Sequence, residues 1–221
     1  MTPDLVIFDC DGVLVDSEPA SNRVMVDNLA RHGLTLTLEE GMAAFLGTSM
    51  QRGAQIARSM GADLPDDATW IAEVYAETYA RLRDGVDAIP GVVAVLDALD
   101  AAGIPCCVAS NGSDEKMDIT LGATGMAARF AGNRFSAHAL GTSKPDPDLF
   151  LIAARQMGVA PDRAVVIEDS ASGALGAQRA GMRCFGYAPR GGPRGGAALA
   201  KVGAILFRDM AELPGLLNLP D

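Results

Sequence analysis

Five short apolar segments punctuate the chain, and each gives way abruptly to polar or glycine-rich sequence. Leu5-Val6-Ile7-Phe8 is continuously apolar, carries β-branched residues and stops at Asp9. That pattern predicts a strand buried on both faces, as in a parallel sheet. Ile104 to Ala109, Ala164 to Ile167, Met182 to Tyr187 and Ala204 to Phe207 repeat it. Between them lie stripes at helical spacing: Val92, Val95, Leu96 and Leu99; Leu149, Ile152, Ala153 and Met157; Ala174, Ala177 and Ala180. Strand–helix alternation of this kind predicts an α/β fold with a parallel sheet and right-handed crossovers.

One stretch breaks the alternation. From Asp16 to about Asp87 there are only helical signals. Thr37-Leu38-Glu39-Glu40 reads as a capping box. Trp70, Val74, Tyr75, Thr78 and Leu82 make an amphipathic run that closes at Gly85. So much helix between a first and second strand exceeds an ordinary crossover, and an inserted helical domain is expected.

Composition narrows the function. Of 221 residues, 49% are apolar and 21% charged, which suits a folded, globular chain. The formal charge of −10 argues against a nucleic-acid binder, which needs a basic face. An acidic protein that handles anionic substrates needs local cations, and a divalent metal is the obvious candidate. The start of the chain has no basic region, and no stretch approaches the roughly 20 apolar residues of a membrane span. Cys10, Cys106, Cys107 and Cys184 have neither C-x-x-C spacing nor disulfide-framework density. The expectation is a cytoplasmic protein with cysteines that pack in the core, working as a monomer or weak homo-oligomer without a membrane partner.

Candidate chemistry gathers where strands end. Asp9-Cys10-Asp11-Gly12 follows the first strand, and in open α/β sheets that edge binds ligands. Two carboxylates at i and i+2 can share a divalent cation or divide nucleophilic and acid–base work. The same residues also suit an Asx-type turn with Gly12 at positive φ. Ser110-Asn111 follows the second strand and can offer a hydroxyl and backbone N–H groups to a phosphoryl oxygen. Lys144-Pro145 lies in a polar loop before a helix. Glu168-Asp169-Ser170 closes a further strand, where Asp169 alternatively caps the next helix. Jointly these groups suit phosphoryl transfer, with cations neutralising phosphate oxygens while a carboxylate attacks.

Asp9-x-Asp11-Gly12-Val13-Leu14-Val15-Asp16-Ser17-Glu18, Ser110-Asn111, Lys144-Pro145 and Glu168-Asp169-Ser170 resemble the four ordered motifs of the haloacid-dehalogenase-like hydrolases. Lys144-Pro145-Asp146-Pro147-Asp148-Leu149-Phe150 and Glu168-Asp169-Ser170-x-x-Gly173 are similar to the β-phosphoglucomutase-like branch. The resemblance implies a Rossmann-like parallel-sheet core, residues 1–15 and 87–221, with an inserted all-helical cap domain, residues 16–86. It also implies a phosphatase of small phosphorylated metabolites such as sugar, sugar-acid or polyol phosphates. Asp9 would be the nucleophile that forms an aspartyl-phosphate, and Asp11 the general acid and base. Ser110, Asn111 and Lys144 would bind phosphate. Magnesium would sit among Asp9, the Asp11 backbone carbonyl, Asp169 and Glu168.

The presence of Asp11 argues against dehalogenation, and no lysine precedes Lys116 to form the Schiff base of phosphonate hydrolysis. A phosphosugar mutase is the alternative. Mutases of this branch carry a His where this chain has Ser21 and a cap Arg where it has Met50, and both departures favour hydrolysis. In the cap, Thr48, Ser49 and Gln51 of the Gly47–Gln51 loop are the expected specificity residues. Arg190 and Arg194, in a glycine-rich loop, either meet a substrate anion or are solvated. His32 and His138 have no metal-ligand spacing, with His138 expected in a loop, and Met60, Met126 and Met157 are expected to fill the core.

Overall fold

In the computed structural model, which describes residues 2–45, 48–189 and 196–219, six strands form one sheet. They are β1 (Leu5–Phe8), β2 (Cys106–Ser110), β3 (Arg134–Ser136), β4 (Ala164–Glu168), β5 (Arg183–Tyr187) and β6 (Ile205–Phe207). The order is β3-β2-β1-β4-β5-β6, and every pairing is parallel. The chain divides into two compact units, Met1–Asp16 with Asp87–Asp221, and Ser17–Val86.

The helical unit contains α1 (Glu18–Arg31), α2 (Leu38–Phe45), α3 (Met50–Ser59) and α4 (Asp67–Arg83). The capping box before α2 forms: Thr37 Oγ1 accepts from the Glu40 N–H at 3.2 Å, and Glu40 Oε2 accepts from the Thr37 N–H at 2.8 Å. Trp70 is fully buried with Leu29, Phe45, Ala54, Ala57 and Val74. Its indole N–H donates to Asn28 Oδ1 at 2.8 Å, which satisfies a buried polar pair that would otherwise be costly. Tyr75, expected on the apolar stripe, is exposed and stacks on Tyr79; Met60 is exposed as well.

In the sheet unit the described helices are α5 (Val92–Ala101), α6 (Asp114–Ala123), α7 (Ala137–Leu140), α8 (Asp148–Gln156), α9 (Ala171–Arg179), α10 (Ala197–Lys201) and α11 (Leu213–Leu216). Leu5 and Ile7 pack with Leu149, Phe150 and Ala153 of α8 and Ala174 and Ala177 of α9. Val6 and Phe8, pointing the other way, are also fully buried, which is why β1 reads as an unbroken apolar run. The pattern missed β3, a three-residue strand that is partly exposed and mixed in polarity. His138 lies in α7 rather than in a loop. The cysteines are all free; Cys10, Cys107 and Cys184 are buried. Among the described residues no helix is long and apolar enough to cross a membrane.

Candidate active site

Strand register brings the motif residues to one edge. Phe8 pairs with Val108 on β2 and Ile167 on β4, and the Asp9 N–H donates to the Ile167 carbonyl at 2.9 Å. One residue past Phe8 and Ile167, and two past Val108, the chain reaches Asp9, Glu168 and Ser110, so these residues and Asp169 emerge at the same edge. Strand β1 is also where the order reverses, with β2 and β3 on one side and β4 to β6 on the other. A crevice at such a switch point is the usual ligand position in open parallel sheets.

Lys144 organises the centre. Its Nζ lies 2.6 Å from Asp9 Oδ1 and 2.6 Å from Glu168 Oε1, and it also sits over the Phe150 ring. The lysine is buried. Burial works against its charge, but Asp9 and Glu168 outweigh that and hold the ammonium above the ordinary lysine range. The loop carrying it is tied down, since the Lys144 N–H donates to Asn111 Oδ1 at 2.9 Å. Asp9, Glu168 and Asp169 are buried, and each offers an oxygen within 4.8 Å of the others. Burial pushes the Asp9 carboxyl up to about 7; Lys144 opposes this, while Glu168 and Asp11 add to it. Three carboxylates against one ammonium leave negative charge in excess, and an all-oxygen set suits a hard divalent cation. The residues fit magnesium.

Local sequence explains the carboxylate geometry. Glu168 Oε2 accepts from the Ser170 N–H and Ser170 Oγ, both at 2.8 Å, so this side chain lies against the first turn of α9. A Cβ at Gly173 would overlap the Glu168 carboxylate, so any larger residue there forces that side chain to shift. Ser170, not Asp169, caps α9 by accepting from the Gly173 N–H at 3.1 Å. The capping alternative for Asp169 therefore falls away. Gly12 has φ +81°, the turn anticipated for it, and a Cβ there would overlap the Asp169 carboxylate.

Ser110 is buried, and its Oγ accepts from the Gly112 N–H at 3.0 Å; Asn111 is exposed. Two partners escaped the sequence reading. Ser136, at the end of β3, donates from Oγ to the Gly112 carbonyl at 2.7 Å and props the turn after Ser110. Lys116 Nζ lies 2.8 Å from Asp11 Oδ2. A polar residue ending an edge strand gives little signal, and Lys116 looks like any helical lysine.

In the helical unit, Thr48 Oγ1 donates to the Phe45 carbonyl at 2.7 Å, and Ser49 Oγ caps α3 by accepting from the Arg52 N–H at 3.2 Å. Gln51 is exposed. Ser21, where a mutase histidine was considered, donates from Oγ to the Ser17 carbonyl at 2.9 Å. Gly47, Arg190 and Arg194 lie outside the described residues.

A model of the haloacid dehalogenase-like hydrolases matches residues 3–181. The chain is 36% identical over 183 residues to 6-phosphogluconate phosphatase of Escherichia coli (strain K12), covering 82% of this chain and 81% of that one. It is 34% identical over 194 residues to hexitol phosphatase A of the same organism, covering 85% of each. A solved HAD family hydrolase from Deinococcus radiodurans R1, with bound phosphate and sodium, superposes with a TM-score of 0.82 at 34% identity, covering 98% of this chain and 95% of that one. On the family match and these relatives, joined to the carboxylate-and-lysine cluster at the strand ends, the chain belongs to the haloacid dehalogenase-like hydrolases.

Proposed function

We propose that the protein is a magnesium-dependent phosphatase of small phosphorylated metabolites, of the sugar, sugar-acid or polyol type. The observation that carries this reading is the buried cluster of Asp9, Glu168 and Asp169 around Lys144, with Asp11 held separately on Lys116. The names of the relatives, a phosphogluconate phosphatase and a hexitol phosphatase, support the substrate class.

Asp9 attacks phosphorus, and the bond to the leaving oxygen breaks as the aspartyl-phosphate forms. Asp11 gives its proton to that oxygen, then takes one from the water that attacks the phosphoenzyme, releasing inorganic phosphate and restoring Asp9. Ser110 Oγ, the Asn111 N–H and Lys144 hold phosphoryl oxygens. Glu168 keeps Lys144 in place and, with Asp9, Asp169 and the Asp11 carbonyl, would hold magnesium, which when bound supplies charge neutralisation for the phosphoryl group. Ser21 and Met50 support hydrolysis over mutase chemistry, because Ser21 lacks the imidazole that would help hold Asp11 out of water and Met50 lacks the cation that would grip a second phosphate.

The test is phosphate release from a panel of phosphorylated metabolites. EDTA should abolish it, magnesium should restore it, and calcium, which prefers more ligands in a looser geometry, should not. Asp9→Asn should leave no turnover with the fold intact by circular dichroism. Asp11→Asn should still transfer phosphate from an aryl ester and accumulate phosphoenzyme. Full activity without metal, or substantial activity in Asp9→Asn, would sink the reading.

A further inference from the structure

Lys116 has no part in the chemistry above, yet it occupies an unfavourable place. It lies in the first turn of α6, where Asp114 and Glu115 are the expected acidic neighbours and a cation opposes the helix dipole. Its backbone N–H donates to the Ser113 cap at 3.2 Å, and its side chain is only 20% exposed. Burial disfavours the ammonium; Asp11 is the main compensation and leaves its pKa raised. Gly112 marks the place where this pair meets the phosphate turn. A Cβ there would lie 3.3 Å from Ser110 Oγ, 3.5 Å from Lys116 Cδ and 3.9 Å from Asp11 Oδ2.

Two lysines thus divide the carboxylates. Lys144 takes Asp9 and Glu168, and Lys116 takes Asp11, which does not join the buried oxygen cluster of Asp9, Glu168 and Asp169. Asp9 and Asp11 stand two residues apart on one rim, so an Asp11 side chain without its own cation would be drawn toward Lys144 or a bound divalent ion. A carboxyl captured there cannot deliver a proton to a leaving oxygen.

We propose that Lys116 is a positioning residue, which holds the Asp11 side chain apart from the nucleophile and its metal-binding carboxylates so that Asp11 remains available to the leaving group. What Asp11 does there rests on the phosphatase reading; where Lys116 holds it does not.

The experiment compares the intact protein with Lys116→Met and Lys116→Arg. The readouts are kcat/KM for a polyol phosphate, for a sugar-acid phosphate and for p-nitrophenyl phosphate, and the Asp11 conformation in crystals of wild type and Lys116→Met. An aryl leaving group needs little proton donation. The polyol-to-aryl ratio should therefore fall about 10- to 100-fold in Lys116→Met, up to the lower limit of what acid catalysis usually contributes, because Asp11 is displaced and not removed. Lys116→Arg should recover most of it, and Asp11 should leave its wild-type rotamer in Lys116→Met. A purely structural lysine would lower both substrates alike, which overturns the proposal. So does an unmoved Asp11, or a loss confined to phosphorylated sugar acids, which would make Lys116 a ligand for the substrate carboxylate. Should wild type release no phosphate from any ester, the phosphatase reading fails, and the Asp11 conformation alone decides the positioning.

Discussion

On the proposed mechanism Asp9 is a nucleophile, and so ionised, in a place where burial, helped by Glu168 and Asp11, outweighs Lys144 and favours the protonated form. Its ordinary carboxyl value of 3.8 is pushed to about 7 in the metal-free fold. In the unfolded chain it ionises near pH 4, while the folded protein keeps the proton to near pH 7. Between those limits the unfolded state binds fewer protons, so this group makes stability fall as pH rises, with the full penalty above pH 7. At about 1.4 kcal/mol per pH unit the penalty is at most about 4 kcal/mol. In EDTA, melting temperatures of wild type should drop between pH 5 and pH 8 by more than those of Asp9→Asn, and magnesium should close the gap. Parallel melting curves in EDTA would show that Lys144 alone keeps Asp9 ionised. The residue types were readable in advance because each motif carboxylate follows an apolar strand; the burial that shifts Asp9 was not, because it depends on Glu168 and Lys144 arriving from distant segments.

At the scale of single elements, legibility followed length and burial. Strands β1 and β4 announce themselves because a sheet covered on both faces demands unbroken apolar residues, whereas edge strand β3 is short and half-wet and gives no such signal. That omission hid Ser136, and with it the support of the Ser110 turn. Helix α9 illustrates an element built around a site side chain. Its first turn binds Glu168 through Ser170, and the bare Cα of Gly173 makes room for the carboxylate. In an ordinary helix Gly→Ala gains up to about 1 kcal/mol. Here Gly173→Ala should instead destabilise by about 1–3 kcal/mol, the usual cost of overpacking. Because Glu168 holds Lys144 at 2.6 Å, phosphate release should fall with it. Calorimetry and a phosphate assay on the same variant check both; a more stable, fully active Gly173→Ala protein would mean that Glu168 can move aside at no cost.

The whole molecule comprises two compact units of one chain. The insertion was visible as a strand-free stretch, because strand and helix periodicities differ over so long a span; the local bonds of its loop residues were not, because the donation of Thr48 Oγ1 to the Phe45 carbonyl and the Ser49 cap on α3 depend on where the chain turns. In the sheet unit the insertion begins and ends at one hydrogen bond: the Asp16 N–H donates to the Asp87 carbonyl at 2.9 Å, and Val15 bridges Ala88. The ends of residues 17–86 are therefore already joined, and replacing that segment by a short Gly-Ser linker should leave a sheet unit that folds cooperatively. On the phosphatase reading proposed above, Asp9, Ser110, Asn111, Lys144 and Asp169 would all address the phosphoryl group or its metal, and none of them would read a sugar or polyol. The excised unit should thus keep slow, magnesium-dependent hydrolysis of an aryl phosphate and lose its discrimination among phosphorylated metabolites. In the full chain, Gln51→Ala is the milder variant, since Gln51 is exposed and its loss removes no helix cap. It should lower kcat/KM for the preferred metabolite by roughly 5- to 150-fold, the worth of one or two hydrogen bonds at about 1–3 kcal/mol, with little change on the aryl ester. A metabolite panel run on both proteins is the check. If the excised unit ranks its substrates as the full chain does and Gln51→Ala is silent, selectivity belongs to the sheet unit, with Asp11 and Lys116 the residues to examine next.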